Sequence, residues 1–192
     1  MTVYLGKKPV GVTKVVKKEV AKTKFGANVD TWVGDVDENG ALQKPTWTGA
    51  LNFAGVKEIA YRGLRYAFYH CEGITSADFS SVRSVDENGM YNTFVSCSNL
   101  ASVDLSSLQN IGDSGLNTTF YNCTALTKIS FPALTSVQTN SLGSSTVNSA
   151  FRGCTALTEI HFRADMQATI EAMSQYAKKW GAPATCSILF DL

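Results

Sequence analysis

The chain has 192 residues, 44% of them hydrophobic and 17% charged, with a net charge of +1. These values fit one domain, with or without a small extension, and exclude a disordered chain, a collagen-like chain and a highly charged nucleic-acid binder. No apolar run approaches the roughly 18 residues of a membrane span, and the first residues hold no continuous apolar stretch of a secretory signal. Charge is uneven along the chain: residues 1–30 hold seven lysines against Glu19 and Asp30, and the other residues are net acidic. Those lysines interleave with Val12, Val15, Val16 and Val20, as on a solvated strand or helix face. Residues 1–45 read as a small, mostly β segment that caps one end of the molecule or docks it. Asp35, Asp37, Asn39 and Gly40 match the start of a calcium loop, but Thr46 stands where the bidentate acid belongs. The same Val-Asp-Glu-Asn-Gly string recurs at 85–89, so a β-turn is expected at both places.

Residues 46–163 repeat themselves. Phe94, Cys97, Leu100, Val103 and Leu105 recur as Phe120, Cys123, Leu126, Ile129 and Phe131, and again as Phe151, Cys154, Leu157, Ile160 and Phe162. An earlier copy runs Phe68, Cys71, Ile74, Ala77 and Phe79. A degenerate first copy, Phe53, Val56, Ile59 and Tyr61, has Phe in the place of Cys. The Cys-to-Cys steps are 26, 26 and 31 residues, the last lengthened in the Ser/Asn-rich stretch 141–149. The closing pair of each unit is spaced as in a strand with one side inward. A second apolar pair follows each unit: Val82 and Val85, Leu108 and Ile111, Leu134 and Val137. One unit cannot bury its own apolar face, whereas stacked units can. The expectation is an α/β fold: a right-handed solenoid with strands near 57–62, 75–80, 101–106, 127–132 and 158–163. Residues 164–192 read as its terminal cap. Met166, Ile170, Met173 and Ala177 form one helix stripe, Lys178, Lys179 and Gly181 end it, and Cys186 to Phe190 make a last strand.

The register of Phe, Cys, Leu, Ile and Phe over roughly residues 50–163 resembles the BspA-type leucine-rich repeats of bacterial surface proteins. That resemblance implies display on a cell surface or virion and a non-catalytic adhesion role. The opening segment is similar to leader regions of phage or prophage tail-associated proteins, which implies the alternative of a structural assembly component docked through its basic N-terminus.

Four of the five cysteines share one repeat position, and no two cysteines stand close enough in sequence to start a zinc site. They read as buried thiols of the core. No nucleophile motif, phosphate loop or metal motif is present, so no enzyme activity, cofactor or metal is expected. His161 reads as a surface residue, with Glu159 on the face away from it. The candidate binding face is the outward column of the strands: Asp78, Asp104, Ser130 and His161, flanked by Glu58, Lys128 and Glu159 on one side and Arg62 and Arg163 on the other. The long loops 86–93, 112–119 and 138–149 are a second candidate. The expected partner is a protein or glycan, with no role for nucleic acid or membrane insertion.

Overall fold

The computed structural model describes residues 24–25 and 48–192. The chain winds as a solenoid of parallel strands. Its first wall, the face sheet, is built by β2 (Thr48–Asn52), β4 (Gly73–Asp78) and β6 (Ser102–Asp104), then β8 (Lys128–Phe131), β10 (Glu159–Phe162) and β11 (Ser187–Phe190). A second wall stacks β1 (Lys24–Phe25), β3 (Glu58–Ile59), β5 (Ser84–Val85), β7 (Asn110–Ile111) and β9 (Ser136–Val137). All named strand pairs are parallel, with Ala77 beside Val103 and Ile160 between Ile129 and Ile188. The repeated spacing produces this directly, because each of the first four turns contributes one strand to the face sheet and one to the second wall at a fixed offset.

The third wall carries no strands and is nonetheless ordered. Residues 60–71, 87–97 and 113–123 are chains of consecutive tight turns in which every fourth residue is left-handed: Arg62, Tyr66 and His70, then Asn88, Asn92 and Ser96, then Ser114, Thr118 and Asn122. Non-glycine residues rarely adopt that conformation, and here hydrogen bonding holds them in it. Leu64, Tyr66, Phe68 and His70 donate their N–H groups to Gly89, Tyr91, Thr93 and Val95 of the next turn, at 2.7–3.1 Å. Gly63, Arg65, Ala67 and Tyr69 donate within their own turn. The main-chain N–H groups from 62 to 71 are thus all satisfied. Each four-residue unit turns two residues outward and two inward. Gly89 and Gly115 fill the smaller inward place, where a Cβ would stand 2.8 Å from Val85 Cγ1 and 2.9 Å from Ile111 Cγ2. The repeated Val-Asp-Glu-Asn-Gly string at 85–89 forms one of these turns, Gly89 donating to the Asp86 carbonyl. Its first copy, Asp35–Gly40, lies outside the described residues.

Between the walls the core is stacked in columns. Phe68, Phe94, Phe120 and Phe151 form one, with adjacent ring centroids 5.3, 6.1 and 5.9 Å apart. Phe131, Phe162 and Phe190 continue another. All five cysteines are free and buried. The thiols of Cys97, Cys123 and Cys154 donate to the Phe68, Phe94 and Phe120 carbonyls at 3.0, 3.1 and 2.9 Å. Burial pushes these thiols up, Cys154 to about 12, so they stay protonated and unreactive. Cys123→Ser should therefore cost about 1–3 kcal/mol in urea unfolding, and reductant should leave the melting temperature unchanged.

Three expectations need correction. The first copy is out of register: Phe53 stacks on Phe79 at 4.3 Å and Ile59 pairs with Val85, so Glu58–Ile59 belongs to the second wall and Thr48–Asn52 supplies the face strand. The cause is that 53, 56 and 59 share their spacing with Phe79, Val82 and Val85 as well as with the Cys-Leu-Ile positions. Of the other face strands, Gly73–Asp78 starts and ends two residues earlier than expected, and those at Ser102–Asp104, Lys128–Phe131 and Glu159–Phe162 are shorter than the spans expected. The cap is not one helix. Residues Ala164–Met166 form a 3-10 turn, α1 spans only Gln167–Glu171, and the chain turns left-handed at Gln175, Lys179 and Trp180. Met166, Ile170 and Met173 are buried as expected, but Ala177 is exposed, and Trp180, fully buried, completes the seal. Gly181, at φ +82°, passes so close to Arg152 that a Cβ would fall 2.9 Å from its Cα. The last strand is present as β11, paired with β10. Among the described residues no helix is long and apolar enough to cross a membrane.

Candidate functional site

The outward column of the face sheet runs Asn52, Asp78, Asp104, Ser130 and His161, set by the registers of β2, β4 and β6 and of β8 and β10. It falls into two parts, because no ladder of main-chain hydrogen bonds joins β6 to β8 among the described residues. A shallow cleft of about 330 Å³ lies there, lined by Ser76, Asp78, Ser102, Asp104, Ser106 and Ser130. On its lower side the carboxylates turn the chain. Asp78 Oδ1 accepts the Ser80 N–H at 2.9 Å, Asp104 Oδ1 accepts the Ser106 N–H at 2.8 Å, and Asn52 Oδ1 accepts the Ala54 N–H at 2.7 Å. Each caps the end of its strand and still has a second polar atom for a ligand.

The upper part is a charged network. His161 is 5% exposed, contrary to a surface reading, and Glu159 lies beside it rather than on the opposite face. Residues two apart on a strand share a face. The His161 ring nitrogens stand 3.0 Å from Glu159 Oε2 and 2.7 Å from Asp191 Oδ1, contacts that both nitrogens can donate to at once only in the imidazolium form. Lys128 Nζ is 3.4 Å from Glu159. The His161 hydrogen bond, and then Lys128, hold the Glu159 carboxyl below its ordinary 4.5. A lowered carboxyl stabilises the fold above that ordinary value and loses its contribution as pH falls through the lowered one. His161→Ala should blunt the loss of stability on acidification, read by urea unfolding across the acid range, because it removes the hydrogen bond that holds the Glu159 carboxyl low.

The remaining candidates separate. Glu58 sits on the second wall and Arg62 on the turn wall, so neither joins the column. Arg163 Nε donates to Asp165 Oδ1 at 2.9 Å, at the entry to the cap. Two residues of the face went unread. Asn52 had a signal, since Asn52-Phe53 parallels Asp78-Phe79 and Asp104-Leu105. Asp191 had none, because it follows the repeats. Among the described residues no group of three or more His, Cys, Asp or Glu side chains is placed to hold a metal.

No curated protein and no solved structure matches this chain. A family model described as the BspA-type leucine-rich repeat region does, in six copies over residues 62–147 and 117–177. With its stacked parallel strands and repeated Phe and Cys columns, the chain belongs to the BspA-type leucine-rich repeat family.

Proposed function

We propose that the chain is a non-catalytic recognition module that binds a protein or glycan partner through the face sheet and is displayed on a bacterial surface. One observation carries this reading: the inward columns repeat apolar types, while the outward column is polar and varied, running from Asn52 through Asp78 and Asp104 to Ser130 and His161. Turns stacked about 4.8 Å apart hold those side chains at fixed positions, which lowers the ordering cost of binding. The hydroxyl- and carboxylate-lined cleft at β6 and β8 offers donors and acceptors to a polar partner. BspA-type repeat proteins are generally proteins of bacterial surfaces, which supports surface display. Docking of a larger particle through residues 1–45 falls, apart from Lys24 and Phe25, on residues outside those described, and no observation favours it.

The test is a glycan array and a bacterial-host protein array probed with the full chain and with Asp104→Lys. Hits weakened about tenfold or more by the substitution support the face sheet as the binding surface. Hits that are indifferent to it contradict that assignment.

A further inference from the structure

The turn wall exposes a second surface that the repeats do not explain. In its first turn the outward pairs are Tyr61 with Arg62, Arg65 with Tyr66, and Tyr69 with His70: every outward place is aromatic or basic. Tyr61 and Tyr69 remain 41% and 40% exposed. Across to the next turn, Tyr66 meets Tyr91 edge-on at 6.1 Å, and the Arg65 guanidinium lies over both rings at 5.2 and 5.3 Å. Further along the same wall the exposed Arg152 guanidinium lies 5.6 Å from the Tyr121 ring. None of these tyrosines is needed for the core, which the inward Leu64, Phe68, Met90 and Phe94 already fill.

We propose that this aromatic and arginine-bearing surface is a docking site for an acidic face of a partner protein, separate from the face sheet. Tyr and Arg are the side chains enriched at the centres of protein interfaces, because they bury large area at small entropic cost. The exposed Arg152, held beside the Tyr121 ring, is partly ordered before binding, and a guanidinium pairs with carboxylates through charge-assisted hydrogen bonds. Stacking rings beside cations also suit single-stranded nucleic acid. The surroundings oppose that choice. Glu87 and Asp113 occupy the places equivalent to Tyr61 in the next two turns. The whole chain carries a net charge of only +1, whereas a phosphate track needs sustained positive charge along the surface.

The experiment is selection of a random-peptide display library on the full chain. Parallel baits are Tyr69→Ser with Tyr91→Ser, Arg152→Glu, and a face-sheet control, Asp78→Asn with Asp104→Asn. Asn52 already fills the equivalent place in the control, and near-ultraviolet circular dichroism checks the fold of every bait. The expected result is enrichment of Asp- and Glu-rich peptides whose binding falls about tenfold or more in both wall variants and is unchanged in the control. Peptides with no acidic bias, or peptides lost only in the control, overturn the proposal and leave recognition by the face sheet standing. Enrichment on no bait overturns it as well. An oligothymidine that binds the wall more tightly than the selected peptides overturns it in favour of nucleic acid.

Discussion

Phe120→Ala is expected to destabilise the chain by about 3–5 kcal/mol, the range for emptying the place of a fully buried aromatic. Phe120 has no exposed surface, and its ring lies between those of Phe94 and Phe151 at 6.1 and 5.9 Å. Its carbonyl accepts the Cys154 thiol, and its N–H donates to the Ala150 carbonyl at 3.1 Å. The cavity would therefore open where two turns meet, and in a solenoid each turn is held only by its neighbours. Urea unfolding reads the loss. A cost below about 1 kcal/mol would mean that the Phe column is not the spine of the fold.

Trp180 carries the other large effect. Its ring is fully buried, edge-on to Phe162 and Tyr176 at 5.9 Å each, and its Nε1–H donates to the Ser174 carbonyl at 2.8 Å. The Trp180 carbonyl in turn accepts the Phe151 N–H at 3.0 Å, the place that Ala150 and Thr119 fill for earlier turns. The cap thus continues the hydrogen-bonding pattern of the repeats as well as covering their end. Trp180→Ala should cost about 3–5 kcal/mol. Truncation after Arg163 removes β11 with the cap and exposes Phe162, Ile160 and the open edge of β10. That protein should be insoluble or self-associating by size-exclusion chromatography. A truncated chain that is monomeric and as stable as the whole would show that residues 164–192 are no cap.

The repeat architecture was legible because side chains at fixed spacing must stack to be buried. The Phe, Cys, Leu and Ile positions and the strand β11 followed from that. The first copy slipped because Phe53, Val56 and Ile59 satisfy two stretches of the repeat equally well, and only the stacking of Phe53 on Phe79 decides between them. The cap helix failed because a one-sided apolar stripe takes no account of Trp180, whose burial bends the chain through two left-handed residues. The turn wall was read as loops, since its period of four belongs to neither strand nor helix. The string Tyr61-Arg62-Gly63-Leu64-Arg65-Tyr66-Ala67-Phe68 shows that period once the wall is known. His161 was misread for a simpler reason. Its burial depends on Asp191, some thirty residues away, and Glu159 was assigned to the wrong face of the strand.

Both candidate surfaces depend on the turn wall being as ordered as the sheets, and amide hydrogen exchange tests that most directly. The N–H groups of Phe68, Phe94, Phe120 and Phe151 each donate to the next turn, at Thr93, Thr119, Ala150 and Trp180. They should exchange only through global unfolding, at rates matching the core strand amides of Ile129 and Ile160. Exchange of these four amides as fast as those of the exposed Thr146 and Val147 would contradict a hydrogen-bonded wall, and with it the rigid solenoid.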